Sequence, residues 1–138
     1  MNKLDLAETT TDPVILDELS RNKYWPVRCR VARNLNTSPE TLDYLSRDED
    51  SGVRWCVAKN PNTLSTTLDY LSKDEDSGVC WEVANNPNTT PETLKQMSIG
   101  EDYRYVKYAI KANPNCSLET WKYLSALELL ESLPEVST

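Results

Sequence analysis

The chain has 138 residues, enough for one domain, and its 15 basic residues are outnumbered by 22 acidic ones for a net charge of −7. It holds no histidine and only 3 glycines. That excludes Ser–His and Cys–His nucleophiles, imidazole acid–base chemistry and a glycine-rich phosphate loop, and the acidity argues against nonspecific binding to nucleic acid or to an anionic membrane.

Residues 1–10 are polar and read as an N-terminal cap. From residue 11 the chain repeats with a period of 26. Leu42-Asp43-Tyr44-Leu45-Ser46 returns as Leu68-Asp69-Tyr70-Leu71-Ser72, and Asp48 to Val53 returns as Asp74 to Val79. The units are 11–34, 35–60, 61–86 and 87–113, with one residue inserted near Gly100 to Tyr105, and 114–138 is a half unit with a C-terminal cap. A unit this short cannot bury its own apolar face, so neighbours must stack to share a core.

Each unit predicts two short helices. Asp12-Pro13, Ser38-Pro39 and Thr90-Pro91 open the first with a capping oxygen before proline. Leu64-Ser65 and Ser117-Leu118 stand there in the other copies. The second helix starts after Ser51-Gly52 or Ser77-Gly78, and it stops at Asn60-Pro61, Asn86-Pro87 and Asn113-Pro114 because proline disfavours helical geometry in the residue before it. Asn34-Leu35 predicts a weaker stop. No alternating run supports a strand. The terminal segment predicts a helix with Leu124, Leu127, Leu130 and Leu133 inward and Glu128 and Glu131 outward.

Val53-Arg54-Trp55-Cys56-Val57-Ala58-Lys59-Asn60-Pro61-Asn62-Thr63, followed by a helix with two leucines, resembles the leucine-rich repeat variant pattern in register over residues 11–125. The resemblance implies an all-α fold, a right-handed α/α or α/3₁₀ solenoid of about four and a half two-helix repeats. It also implies an interaction role without known chemistry. Departures are a longer unit, Leu35 in place of proline and Lys111 in place of alanine.

Cys29, Cys56, Cys80 and Cys116 occupy different repeat positions and make no C-x-x-C pair, so unpaired thiols are expected, with no metal site, no cofactor and no disulfide framework. No segment approaches a membrane span and no basic-then-apolar leader is present, so the expected location is the cytoplasm. The acidic triplets Asp48-Glu49-Asp50 and Asp74-Glu75-Asp76 precede helix starts, where negative charge is favourable, and read as capping groups rather than as acid–base pairs. An enzyme is not expected.

The charge is sorted by segment. Segments 27–34, 53–60, 79–86 and 106–113 together carry +6, and the remainder carries −13. A helical wheel set on Val53 puts Val57 and Asn60 on the buried side, Arg54 and Ala58 at its margin, and Trp55, Cys56 and Lys59 opposite. The outward columns are then Cys29, Trp55, Trp81, Tyr108; Arg33, Lys59, Asn85, Ala112; and Arg30, Cys56, Glu82, Ala109. The aromatic column either covers the core or forms a docking ladder. The ladder reading assigns partner binding to Trp55, Trp81, Tyr108, Arg30, Arg33 and Lys59. The recurring Arg28, Arg54 and Lys107 are expected to pair with Asp48 or Asp74, and Asn34, Asn60, Asn86 and Asn113 to satisfy turn backbone. Tyr44, Tyr70 and Tyr123 form a second, less favoured face.

The leading expectation is a non-enzymatic module that binds a protein or peptide. The alternatives are nucleic-acid binding on the same stripe, and an acidic mimic of nucleic acid that blocks a basic protein. A homodimer formed through the exposed aromatics is a further possibility.

Overall fold

The computed structural model describes residues 1–100 and 103–136; Glu101 and Asp102, within the segment that holds the inserted residue, lie outside them. The described residues form ten α-helices and no strand. The first is α1, Lys3–Thr9. The first helices of the units are α2 (Pro13–Leu19), α4 (Pro39–Leu45), α6 (Ser65–Leu71) and α8 (Pro91–Ile99). The second helices are α3 (Trp25–Arg33), α5 (Ser51–Lys59), α7 (Ser77–Asn85) and α9 (Tyr103–Ala112), and α10 (Leu118–Glu131) closes the chain. Both kinds of helix are α rather than 3₁₀.

The start signals act as expected. The side chains of Asp12, Ser38, Thr90 and Ser117 accept from the backbone N–H groups of Val14, Thr41, Thr93 and Thr120. Asp50 and Asp76 do the same for α5 and α7, each accepting from a glycine N–H at 2.8 Å. A Cβ at Gly52 would stand 2.9 Å from Asp50 Oδ1 and one at Gly78 3.0 Å from Asp76 Oδ1, so both positions favour glycine. At α6 the cap position is Leu64, and no side chain caps the helix.

The second helices pack side by side, α3 on α5, α5 on α7 and α7 on α9, with α1 joining the row against α3. The first helices pack on this row. The core follows the repeat. Leu16, Leu42, Leu68 and Leu94 are fully buried, as are Val31, Val57, Val83 and Ile110. Burying each such side chain contributes about 1.5–3 kcal/mol before chain entropy is subtracted. Met97 packs against both halves of the core and so makes it continuous.

Directed polar bonds tie the units together. Asn60 Nδ2 donates to the carbonyls of Ala32 and Asn34 at 2.8 and 3.2 Å, and Asn86 repeats this at Ala58 and Asn60. Asn113 does the same at Ala84 and Asn86. Thr41, Thr67 and Thr93 donate to Asp17, Asp43 and Asp69 of the preceding unit.

The structure corrects two expectations and adds detail to a third, the N-terminal cap. The stop at Asn34 is no weaker than the others. Its φ and ψ of −70° and 126° match the −68° and 125° of Asn60, because its amide is held by Ala7 and Thr10 carbonyls and needs no proline to fix it. The polar N-terminal segment is a helix that buries Ala7. In the terminal segment Leu124 is buried but Leu130 and Leu133 are exposed, while Glu128 and Glu131 turn toward α9. The reason lies in α9, whose Lys107 and Lys111 meet Glu131 and Glu128 at 3.1 and 2.8 Å. Lys111 takes the place of a fully buried alanine, and a carboxylate on α10 receives it.

Candidate docking face

The outer surface of the second-helix row carries the aromatic column. Tyr108 on α9 is 63% exposed and Trp81 on α7 is 41% exposed. Trp55 on α5 is half-buried and packs against the core cluster. Its Cδ1 lies 3.7 Å from where a Cβ on Gly78 would stand, so the indole leans onto the glycine at the start of the next second helix. The column therefore divides between the two readings of the sequence: Trp55 is largely a cover for the core, and Trp81 and Tyr108 are open surface.

The wheel also needs correction. Cys56 and Ala109, placed outward by the pattern, are 2% and 3% exposed. A helix in a packed row has neighbours on both flanks as well as beneath it, so its buried arc is wider than half the wheel. The column of Arg30, Cys56, Glu82 and Ala109 lies between adjacent second helices rather than on the open face.

Most of the basic stripe is already paired. Arg28 binds Asp48 through two bonds of 2.6 and 2.9 Å, and Arg54 binds Asp74 at 2.8 and 3.1 Å. These bonds raise both guanidinium pKa values, against the lowering effect of burial. This is the structural role expected of the recurring arginine. Lys107 departs from it, pairing with Glu131 of α10 instead. Arg30 is paired with Glu8 of α1. Arg33 and Lys59 are exposed and make no ion pair among the described residues. Lys59 Nζ sits 4.8 Å from the centre of the Trp55 ring.

Two exposed aromatics on the same row escaped the sequence reading. Trp25 opens α3 and is 49% exposed, and Tyr105 lies on α9 at the position held elsewhere by Pro26, Gly52 and Gly78. The helices start about two residues earlier than the repeat pattern suggests, which left Trp25 out of its segment. On the opposite layer, Tyr44 and Tyr70 are covered by Arg21 and Arg47 at 4.4 and 4.1 Å, so that face is partly self-satisfied.

Where the repeating arginine is absent, Cys80 donates to the Asp74 carbonyl at 3.2 Å, the role Arg54 Nη1 plays at Asp48. Beside Cys80 lies a groove of about 590 Å³ lined by Ser72, Cys80, Met97, Tyr105 and Val106. The described residues contain no cluster of three or more metal-ligating side chains and no helix long and apolar enough to cross a membrane.

Comparison with protein-family models, with curated proteins and with solved structures finds no match.

Proposed function

We propose that this chain is a non-enzymatic binding module: a right-handed solenoid of the leucine-rich repeat variant type, with about four and a half units, that docks a protein or peptide on its second-helix face. The observation that carries the reading is the exposure of Trp81 and Tyr108 on adjacent helices of one row. Exposed large rings in a soluble fold are costly unless used, and Trp, Tyr and Arg dominate interface energetics. Arg33 and Lys59, second-helix cations with no carboxylate partner among the described residues, favour an acidic or mixed segment and would set its register.

The nucleic-acid alternative loses support because Arg28, Arg30, Arg54, Lys107 and Lys111 are neutralised within the chain. No particular observation favours the acidic-mimic reading.

The test is affinity recovery from native lysate with the wild type and Trp81→Ala/Tyr108→Ala, with and without nuclease. Trp55 is left intact because its ring covers the core. A protein recovered by the wild type, lost with the variant and indifferent to nuclease supports the reading. Equal recovery by a folded variant removes the docking face, and nuclease-sensitive recovery transfers the surface to nucleic acid. A second copy of the chain would show itself as a concentration-dependent dimer that the same variant dissolves.

A further inference from the structure

Two of the thiols are not isolated. Cys29 Sγ lies 2.6 Å from Cys56 Sγ, inside the ordinary non-bonded contact of two sulfur atoms. The two residues hold different positions in the repeat, yet adjacent second helices bring those positions together. Cys29 leans toward the next unit much as Trp55 leans over Gly78, and its Sγ is 3.9 Å from the Gly52 carbonyl. The equivalent residues at the next two interfaces are Trp55 with Glu82 and Trp81 with Ala109. The paired sulfurs thus occur once, between α3 and α5.

We propose that Cys29 and Cys56 form a reversible redox site that a peroxide closes to a disulfide joining two neighbouring units. The Cys29 thiolate attacks the peroxide, forming an S–O bond as the O–O bond breaks, and water leaves after protonation. Cys56 then attacks the Cys29 sulfur. The S–S bond forms, the S–O bond breaks, and the departing hydroxide takes the Cys56 proton as a second water. The dithiol is oxidised by two electrons and the peroxide is reduced by two.

The surroundings divide the roles. Cys29 is half-buried and open to a small oxidant, whereas Cys56 is 2% exposed. The bond from Cys56 pulls the Cys29 thiol down to about 7, helped by Arg33 and opposed by burial and by Asp50 at the α5 cap. The same bond and burial push the Cys56 thiol up, against Arg33 and Lys59. Cys29 is therefore the attacking sulfur and Cys56 the resolving one. Cys116, whose thiol is pushed up by burial, provides an internal control.

The experiment treats the intact protein with a small excess of hydrogen peroxide, blocks remaining thiols and maps the products by mass spectrometry. The expected result is loss of two hydrogens, one linked peptide pair containing Cys29 and Cys56, and full reversal by dithiothreitol. The oxidised form should melt higher by on the order of 10 °C, because the cross-link restricts the unfolded chain. Cys29→Ser should abolish the product and Cys116→Ser should leave it unchanged. If Cys29→Ser does not fold, the wild-type peptide map decides alone. Sulfinic or sulfonic acid on Cys29 without the cross-link, or equal oxidation of all four thiols, overturns the proposal.

Discussion

The side chain of Asn60 answers three backbone groups at once. Its amide nitrogen donates to the Ala32 and Asn34 carbonyls, and its oxygen accepts from the Asn62 N–H at 2.8 Å. It is 3% exposed, so water cannot replace it. Asn60→Ala should therefore cost about 3 kcal/mol, the penalty for leaving several buried polar groups unsatisfied. Urea unfolding would measure this as a lower midpoint with an unchanged slope. A loss below about 0.5 kcal/mol would mean that the ladder is incidental. This role was legible in the sequence because the asparagine recurs at a helix end, where only its backbone neighbours can use it. The thiol contact was not, since single-helix columns do not tell which column of one helix meets which column of the next.

At the scale of the helix, the five first-helix starts form a natural comparison. Asp12, Ser38, Thr90 and Ser117 cap theirs, and Leu64 does not. Leu64 has φ and ψ of −67° and 151°, against −65° and 151° for Ser38, and it is exposed. The backbone is already in place for a cap. Leu64→Ser should stabilise the protein by about 1 kcal/mol by letting the hydroxyl accept from the Thr67 N–H. Thermal unfolding checks the sign, and an unchanged or lower midpoint would show that the exposed leucine contributes more than it appears to. Helix starts and stops were the most legible part of the sequence, since they rest on local chemistry at Asp12, Ser38 and Asn60. The facing of α10 was misread for the opposite reason. Leucine spacing alone placed its carboxylates outward, and only the partner helix, with Lys107 and Lys111, shows why they face α9.

For the whole molecule, the deciding quantity is how much positive charge is left unneutralised. The segment total of +6 suggested a basic layer, but the pairs to Glu8, Asp48, Asp74, Glu128 and Glu131 use most of it. With a net charge of −7, the protein should pass unretarded over immobilised heparin at about 0.15 M salt, where screening still leaves clustered free cations effective. Retention that falls steeply with salt would contradict this and revive the nucleic-acid reading. The candidate face was half legible. Trp81 and Tyr108 emerged from the pattern, whereas the covering role of Trp55 depends on Gly78 one unit further on, a relation between helices rather than within one.

The bonds between units described above each span a short stretch of chain. Arg28 reaches Asp48 across 20 residues, and the longest reach in the asparagine ladder, Asn113 to Ala84, covers 29. No long loop must close before such contacts form, and low contact order goes with fast folding. During synthesis, Asn60 has its acceptors at Ala32 and Asn34 waiting when it appears, so each new turn can lock onto the one already made. The growing chain thus carries only about one unsealed unit at a time, and little sticky surface is open to other nascent chains while the ribosome is still translating.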